Sequence, residues 1–295
     1  MSGRCCSCGA GGLAPHLAVA GDAGGEGLIP TTDQFGTALA DIVRCGVCGH
    51  MQLGVMPSEE SLAEAYGEAE SGDYVEEEEG QRATARAVLD RLDPIAEPRR
   101  LLEIGCWVGF LLAEAEGRGL EAEGIEPSNF AAAYARDRLG LSVQHAGLAE
   151  AELPAAAFAA IVMADVIEHL IDPGAALRRC RELLAPGGKL ALVLPDSGSA
   201  LARAMGRRWW SVIPTHVQYF TRPSLARLLD REGYELLEVA SSPKAFTVRY
   251  YLGRLAGYSE PLAASAIGAA ERAGLADRIW APDFRDRMIV IARPR

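Results

Sequence analysis

The sequence predicts an α/β protein: a seven-stranded sheet with helices on both faces, preceded by a small four-cysteine zinc-binding module. Three observations lead to this prediction. Two Cys-x-x-Cys-Gly pairs lie within the first fifty residues. After Pro98, short apolar runs alternate with amphipathic stretches, as in a parallel sheet covered by helices. A glycine-containing turn follows the first of these runs, at the place where such sheets bind ligands.

Length, composition and charge limit what this chain can be. Its 295 residues, 49% of them hydrophobic, suffice for one α/β domain with a sizeable core and a small appended module. With 40 acidic and 29 basic residues, the net charge of -11 repels polyanions and disfavours nucleic acid as a partner. The sequence has no apolar run of about eighteen residues and no signal-peptide pattern. We therefore expect a cytoplasmic protein with a small-molecule partner and no membrane partner, and a homodimer stays open.

The N-terminal segment, residues 1–58, carries the pattern of a structural zinc site. Each of its two cysteine pairs is followed directly by glycine, and the four thiols are those of Cys5, Cys8, Cys45 and Cys48. Cysteines at this spacing bind one Zn²⁺ through a tight turn, and the glycine relieves the backbone strain of that turn. Three more residues lie near enough to substitute: Cys6, His16 and His50. Four cysteines already complete a closed tetrahedral site, so we expect a structural metal.

Residues 59–98 are interpreted as a helical connector, because apolar residues recur in them every three or four positions. Tyr66 and Tyr74, on either side of Ser71–Asp73, suggest a lid or a substrate wall. Ordinary packing on a linker helix explains these residues equally well. The acidic run Glu76–Glu79 is interpreted as a solvated helix face without a function.

Residues 99–295 are predicted to form the main domain. Its seven predicted strands are Arg100–Ile104, Glu121–Ile125, Leu141–Gln144, Ala160–Met163, Gly188–Leu194, Tyr234–Ala240 and Arg287–Ala292. A long helical excursion, Arg249–Ala276, separates the last two strands, and we expect it to cover the substrate pocket.

The end of the first strand carries the main ligand-binding signal. Gly105 and Gly109 permit a tight turn and a close approach of backbone to ligand, just before the next helix begins. A dinucleotide fingerprint would need glycine where Trp107 stands, so NAD is disfavoured. Glu126 ends the second strand 21 residues after Gly105, close to the usual offset of about twenty for a carboxylate that accepts both ribose hydroxyls.

Four motifs follow one another through the main domain. They are Glu103-x-Gly105-x-x-x-Gly109, Gly124–Ser128, Phe158–Met163 and Leu184–Gly188. In this order they resemble a class I S-adenosylmethionine (SAM) dependent methyltransferase of the small-molecule type. The resemblance implies a Rossmann-like fold, SAM as cofactor and methyl transfer as the activity.

The resemblance also implies a cofactor site. The residues it assigns to the methionine moiety are Glu103, Gly105, Gly109 and Phe110. It assigns the ribose to Glu126, beside Pro127, and the adenine to the neighbourhood of Gly147 and Leu148. The segment 164–170, which includes Asp165, would face the sulfonium and the acceptor. Trp107 departs from the glycine usual in the family and would fill space beside the cofactor, as in other small-molecule members.

The segment Cys45–Leu53 and the tyrosine-containing stretch after it resemble the zinc-binding module of sugar C-methyltransferases. Those enzymes act on nucleotide-linked deoxysugars in antibiotic biosynthesis and carry a further C-terminal domain. We expect a chain of 295 residues to lack that domain, so the activity of the group cannot simply be transferred.

Methyl transfer to a hydroxyl requires alignment and removal of a proton. The candidate catalytic residues are His216, His169 and Tyr219. The alternatives are a loop-supporting role for His169 and a packing role for His216. Asp165, Glu168 and His169 are spaced D-x-x-E-H, which resembles the E-x-x-E-H pattern of ubiquinone-biosynthesis O-methyltransferases and suggests a site for a divalent cation such as Mg²⁺.

A tryptophan pair, Trp209 and Trp210, lies next to Arg207 and Arg208 and suggests either contact with an aromatic or anionic molecule or an anchor for its loop. We predict a SAM-dependent methyltransferase that acts on a sugar nucleotide or a natural-product intermediate. O-methylation is favoured, and C- or N-methylation stays open. The rival from another class is a SAM-binding zinc-ribbon regulatory protein, which the acidic charge disfavours.

Overall fold

The computed structural model describes residues 3–21, 35–58, 62 and 75–295. The strands of the described residues are β1 (Leu13–Leu17), β2 (Ile42–Cys45), β3 (Met51–Leu53), β4 (Arg100–Ile104), β5 (Glu121–Glu126), β6 (Ser142–His145), β7 (Phe158–Ala164), β8 (Leu184–Pro195), β9 (Gln218–Tyr219), β10 (Tyr234–Ser241), β11 (Phe246–Thr247), β12 (Ile279–Trp280) and β13 (Arg287–Pro294). The α-helices are α1 (Glu78–Leu92), α2 (Phe110–Gly117), α3 (Asn129–Leu139), α4 (Pro173–Leu183), α5 (Ala200–Met205), α6 (Arg222–Arg231), α7 (Val248–Gly253) and α8 (Glu260–Arg272).

The main sheet has seven strands in the order β10-β13-β8-β7-β4-β5-β6. Strand β13 runs antiparallel to both of its neighbours, whereas β8, β7, β4, β5 and β6 are parallel. The predicted Rossmann-like α/β sheet is therefore confirmed. The order reverses next to β4, and open sheets of this kind bind ligands at such a switch point.

Strand β8 begins at Leu184, four residues before the predicted start at Gly188. Leu184 pairs with Phe158 ahead of a register shift between Phe158 and Ala160. The proline and glycines of the intervening turn favoured a loop there, but pairing with β7 extends the strand.

Helices cover both faces of the sheet, as predicted. Along β7, Ile161 and Met163 pack against α4 and α6 on one face. Ala160 and Val162 pack on the opposite face, together with α1, α2 and α3. This alternation is the two-residue period of a strand whose two faces are both buried. No helix of the described residues combines the length and the apolarity that a membrane crossing requires.

Strands β1, β2 and β3 form a second, small antiparallel sheet, and β9 of the main domain completes it. Gln52 of β3 pairs with Gln218 of β9, and Leu53 donates its N–H to the Val217 carbonyl at 3.0 Å. The apolar side chains under this sheet pack against Trp209 of the main domain. The N-terminal segment is therefore joined to the main domain by backbone pairing as well as by side chains.

The acidic run before α1 differs from the prediction. Glu77 is only 8% exposed, and its carboxylate accepts the Thr247 N–H at 2.7 Å and the Thr247 hydroxyl at 2.6 Å. It ties the start of α1 to β11, so the interpretation of the run as a solvated face is wrong at this position. Tyr66, Tyr74 and residues 71–73, which suggested a lid, lie outside the described residues. The domain boundaries at 58 and 98 stay predictions.

Candidate active site

A cavity of about 790 Å³ opens at the carboxyl ends of the parallel strands. Its size is within the range of roughly 300–1,000 Å³ that small-molecule sites occupy. The strand-end residues that line it are Ile104, Gly105, Ile125, Glu126, Ala146, Ala164, Asp165 and Pro195. The cavity therefore lies at the edge of the sheet where the sequence places the ligand.

The turn after β4 has the backbone that its glycines predict. Gly105 has a φ of +68°, and a Cβ on it would lie 2.6 Å from Val166 Cγ2. Gly109, at the N-cap of α2, has a φ of +85°, and a Cβ there would lie 2.5 Å from Leu141 Cδ1. Both positions thus require glycine for space and for conformation. Trp107, between them, also takes a positive φ, +47°, which costs a non-glycine residue about 1 kcal/mol or more.

Glu126 is buried at the end of β5, and its carboxylate contacts this turn. Oε2 accepts the N–H of Trp107 at 2.8 Å, and Oε1 accepts the N–H of Ser128 at 2.8 Å. Burial raises the pKa of Glu126, and the two N–H groups oppose that rise. Because each carboxylate oxygen has more than one lone pair, Glu126 can fix the turn and still accept a ligand hydroxyl.

Most of the expected cofactor residues line the large cavity. They are Gly105, Trp107, Glu126, Pro127, Gly147, Leu148 and Asp165. Glu103 and Phe110 line an adjoining cavity of about 100 Å³ instead, which shares Gly105 and Trp107 with the large one. Gly109 lines neither cavity and lies in the turn after β4, at the N-cap of α2. The cofactor-binding residues expected from the sequence thus line two neighbouring cavities, with the exception of Gly109.

Glu103 lines the smaller cavity with an incompletely paired carboxylate. It is 5% exposed, and its Oε2 has no hydrogen-bond partner among the described residues. Burial, together with the nearby charge of Glu126, holds the pKa of Glu103 well above its ordinary value. A cationic ligand group beside this carboxylate would complete its hydrogen bonding.

Asp165 pairs with two basic side chains, whereas its motif suggested a divalent cation as its partner. Its carboxylate binds Lys244 Nζ at 2.6 Å and Arg287 Nη2 at 2.5 Å. Burial would raise its pKa, but the two cations keep the pKa of Asp165 below its ordinary value. Asp165 is therefore engaged in an ion-pair cluster, and the predicted cation site of Asp165, Glu168 and His169 is corrected. In this part of the site, the potential metal-ligating atoms that lie within 4.8 Å of one another belong instead to Glu168, His169 and His216.

His169 and His216, 47 positions apart in the chain, meet in the cavity wall with their ring centroids 4.7 Å apart. Nδ1 of His169 lies 2.8 Å from the Thr215 carbonyl, and Nδ1 of His216 lies 2.8 Å from the Ser211 carbonyl. A carbonyl only accepts, so Nδ1 carries the proton in both rings and Nε2 is the basic nitrogen. Burial lowers the pKa of both histidines, which are neutral near pH 7.

Glu168 completes this group, which we call the polar cluster (Glu168, His169 and His216). It is 1% exposed, and neither carboxylate oxygen has a hydrogen-bond partner among the described residues. Burial and the nearby Asp165 raise the pKa of Glu168 to about 8. A carboxyl group of this kind is protonated at neutral pH and can donate a hydrogen bond.

The remaining candidate residues, Tyr219 and the tryptophan pair, lie either in the buried core or in the cavity wall. Tyr219 is 4% exposed, lines neither cavity, and packs in the core under the small sheet. Trp209 is also buried, and its Nε1–H donates to Asp286 at 3.2 Å, so it anchors its loop. Trp210 does line the cavity and meets Phe284 edge-on at 5.8 Å. Trp209 thus has the anchoring role expected of the pair, whereas contact of Trp210 with a ligand stays a prediction, and Arg207 and Arg208 do not line the cavity.

Sequence reasoning missed several wall residues. Lys244 and Arg287 hold Asp165, and Tyr251 and Trp280 form part of an aromatic wall. The adjacent pair Tyr250-Tyr251, inside the helical excursion, is the local sequence signal for this wall. The two cations carried no local signal, because they come from distant parts of the chain.

The four predicted cysteine ligands lie together in the N-terminal module. Cys5 Sγ is 3.5 Å from Cys48 Sγ, and Cys8 Sγ is 3.7 Å from Cys45 Sγ. All four sulfurs lie within 4.8 Å of one another, and all four residues are free thiols. The group therefore has the ligand type and spacing of a closed tetrahedral metal site.

The residues around these sulfurs follow the expected pattern. Gly9 and Gly49 have φ of +74°, in the tight turn after each pair. His50 is fully buried with its Nε2 2.9 Å from Oε1 of Gln218, and it does not belong to the group of four ligating sulfurs. Cys6 contacts Gln218 and the Ile171 carbonyl. These contacts connect the cysteine module to the main domain.

Comparison with known sequences agrees with this geometry. A family model described as a methyltransferase domain matches residues 77–239. The chain is 33% identical over 177 residues to the ubiquinone biosynthesis O-methyltransferase of Alkalilimnicola ehrlichii, covering 53% of this chain and 70% of that protein. It is 30% identical over 154 residues to a Mycolicibacterium smegmatis protein named as a SAM-dependent methyltransferase, covering 50% of this chain and 57% of the relative. The chain thus spans little more than half the length of the latter relative.

Solved structures show the same fold. A chain from the Haloferax volcanii complex of the Trm112 methyltransferase activator with a methyltransferase superposes with a TM-score of 0.56 at 13% identity, covering 81% of this chain and 99% of that one. Geranyl diphosphate C-methyltransferase from Streptomyces coelicolor superposes with a TM-score of 0.50 at 14% identity, covering 72% of this chain and 76% of that one. At these identities the similarity concerns the fold alone.

Proposed function

We propose that this chain, which belongs to the methyltransferase-domain family and is a SAM-dependent methyltransferase, transfers its methyl group to a hydroxyl oxygen of a small molecule. The observation that carries the proposal is the pair of neutral histidines in the cavity wall. Each donates its Nδ1–H to a backbone carbonyl, which leaves Nε2 as the basic nitrogen.

The cofactor half of the cavity is assigned to the residues around the turn after β4. Glu126 would accept ribose hydroxyls, and Gly147 and Leu148 would border the adenine. Glu103 and Phe110, in the adjoining small cavity, would contact the methionine end. SAM, when bound, supplies an electrophilic methyl group.

His216 is assigned as the general base. It is 7% exposed, lines the cavity, and is neutral because burial and the neighbouring His169 lower its pKa. As the acceptor oxygen bonds to the methyl carbon and the methyl–sulfur bond breaks, with S-adenosylhomocysteine as the leaving group, the hydroxyl proton would pass to Nε2 of His216. Base catalysis by a positioned side chain contributes roughly 10²- to 10⁴-fold. His169, edge-on to His216, would orient this ring or hydrogen-bond the acceptor.

Oxygen is favoured as the acceptor atom because a base is required for a neutral hydroxyl, and the relatives named as ubiquinone biosynthesis O-methyltransferases support the same choice. A sugar nucleotide or a natural-product intermediate, including one of antibiotic biosynthesis, would be the acceptor. C- and N-methylation are the alternatives within enzymes. We further propose a cytoplasmic enzyme without nucleic-acid or membrane partners, consistent with the net charge of -11.

A structural zinc ion is proposed for Cys5, Cys8, Cys45 and Cys48. With Zn–S bonds of about 2.3 Å, tetrahedral geometry separates the sulfurs by about 3.8 Å. The distances of 3.5 and 3.7 Å between Cys5 and Cys48 and between Cys8 and Cys45 fit this value. Four thiolates leave no open coordination position, so the metal would hold the module together without joining in the chemistry.

The proposal is tested by incubating the full chain with SAM that carries a deuterated methyl group and a panel of hydroxyl-bearing small molecules. Mass spectrometry should find S-adenosylhomocysteine (SAH) together with an acceptor that has gained one labelled methyl group, and fragmentation should locate the label on oxygen. SAM binding without turnover of any acceptor would favour the rival, a SAM-binding regulatory protein.

A further inference from the structure

We infer that the acceptor is an uncharged aromatic molecule that bears a hydroxyl group, and not a nucleotide-linked sugar. The inference rests on the proposed function and narrows its acceptor class. It comes from the part of the cavity wall that the cofactor assignment does not use.

That part of the wall is aromatic. The eight aromatic residues that line it are Phe35, Trp210, Phe246, Tyr250, Tyr251, Tyr258, Trp280 and Phe284. They come from the N-terminal module, from the loop before β9, from β11 and α7, from the segment between α7 and α8, and from the segment around β12. Separate parts of the chain thus place their rings in one wall. We call this set of eight residues the aromatic wall.

Most of the rings form one continuous surface. Phe246 stacks on Tyr250 with centroids 4.2 Å apart, and Tyr251 meets Trp280 edge-on at 5.6 Å. Phe284 lies 6.4 Å from both Tyr251 and Trp280, and it continues the surface to Trp210. Planar ligands gain affinity on such surfaces by stacking and by edge-to-face contacts.

The aromatic wall also remains partly open to solvent. Trp280 is 49% exposed, Phe284 45% and Tyr258 44%. Large aromatic side chains seldom remain exposed together unless the surface binds something apolar. These three rings therefore mark the side from which an apolar acceptor would enter.

The charged groups of the cavity already have partners. Lys244 and Arg287 both bind Asp165, and the Arg254 guanidinium lies 5.9 Å from the centre of the Tyr250 ring. A diphosphate needs several available cations or a helix N-terminus, and these three described cations of the lining are already engaged. Among the described residues, the lining therefore offers the diphosphate of a nucleotide-linked sugar no cation that is without a partner.

The carboxylates are engaged as well. Asp286 accepts from Trp209, and Asp283 accepts from the Ser241 hydroxyl at 2.5 Å and from the Arg285 N–H at 2.8 Å. Among the described residues, both carboxylates therefore already accept hydrogen bonds from protein groups, which leaves fewer acceptor positions for a cationic amine. A neutral aromatic ring with a hydroxyl directed toward the polar cluster packs on the aromatic wall and needs no charged partner from the protein.

The test uses the full chain saturated with SAH and measures binding by calorimetry. The probes are two- and three-ring phenols (2-naphthol, 7-hydroxycoumarin and a hydroxyanthraquinone), thymidine diphosphate glucose and histamine. We expect the phenols to bind most tightly. Trp280→Ala should weaken phenol binding about tenfold, since it removes one stacking surface. Leu262→Ala, which changes a 54% exposed side chain outside the cavity lining, should leave it unchanged.

The outcomes distinguish a failure of the inference about the acceptor from a failure of the proposed function. Tighter binding of thymidine diphosphate glucose or histamine than of the phenols would overturn the inference, as would equal phenol affinity in Trp280→Ala. Both results leave SAH binding intact. If the wild-type chain does not bind SAH at all, the proposed function fails, and the inference fails with it.

Discussion

The chemistry of single residues in this site is set by burial. His216 and His169 are neutral because burial lowers their pKa, and Glu168 is protonated because burial raises its pKa to about 8. Asp165 stays ionised only because Lys244 and Arg287 flank it. The wall near the acceptor therefore offers a neutral base beside a fixed ion-pair cluster.

At this scale, His216→Gln should lower kcat at least about 100-fold, because a glutamine amide cannot take up the hydroxyl proton. The dissociation constant of SAH should change little. His16→Gln, an exposed histidine of β1, is the matched control and should behave as the wild type. Steady-state kinetics together with SAH titration check the prediction. A loss of SAH affinity equal to the loss in kcat would point to a structural role for His216 instead.

The pH profile is a second residue-scale prediction. The pKa of His216 in the folded protein lies well below the ordinary 6.5, so the basic form is present above that folded value and is lost only as the pH falls through it. The kcat/KM of the wild type should therefore show no loss from this group between pH 8 and 6.5, and an acid limb only at lower pH. An acid limb centred at or above pH 6.5 would exclude a buried neutral His216 as the base.

Local patterns sufficed to predict some of the residues that line the cavity. Glu126 follows from its distance to the glycine turn, and the buried parallel strands follow from continuous apolar runs. The state of Asp165 did not follow, since Arg287 lies 122 positions away in the chain. The pairing of His169 with His216 is likewise a tertiary contact. The aromatic wall could not be predicted because its rings come from separate segments without a shared local pattern.

At the scale of elements, β9 connects the small sheet to the polar cluster. It pairs with β3, and it directly follows Val217, whose N–H donates to the Glu168 carbonyl at 3.0 Å. Gln218 of β9 is 1% exposed; it hydrogen-bonds His50 and donates to the Leu170 carbonyl at 3.2 Å. The N-terminal module therefore supports the loop that carries His216.

Gln218→Ala should thus act on the site from a distance, as the loss of a positioning residue. Removing the amide leaves buried His50 without this partner, which costs about 2 kcal/mol in unfolding free energy. Hydrogen exchange should accelerate through residues 213–219 and kcat should fall, while the SAH dissociation constant stays close to that of the wild type. Gln144→Ala is the control, because the side-chain amide of Gln144 in β6 hydrogen-bonds the backbone of Glu152 and not this loop. Unchanged exchange in the loop would contradict the coupling.

At the scale of the whole molecule, the chain combines a small cysteine module and a methyltransferase domain in a shared apolar core. Segment 1–58 is rich in glycine, and its buried apolar side chains pack in a cluster shared with Trp209 and Val217 of the main domain. Metal binding would supply the missing stability of such a small unit. Loss of the metal should then disturb both the module and the loop beside it.

We predict one zinc per chain by elemental analysis. Removal by a chelator should lower the unfolding temperature on the order of 10 °C, since structural zinc contributes several kcal/mol. Cys48→Ala should lose the metal, whereas Cys180→Ala, which changes a buried thiol outside the cluster, should retain it. Full thermal stability of the metal-free chain would contradict a structural role.

The most direct test of the central claim is calorimetric titration of the purified chain with SAH. Wild-type protein should bind one SAH, and Glu126→Ala should bind it at least about tenfold more weakly, because the ribose partner and the support of the Trp107 turn are both lost. Glu121→Ala, which changes an exposed glutamate at the start of the same strand, should bind as the wild type does. Equal SAH affinity in wild type and Glu126→Ala would contradict the assigned cofactor site.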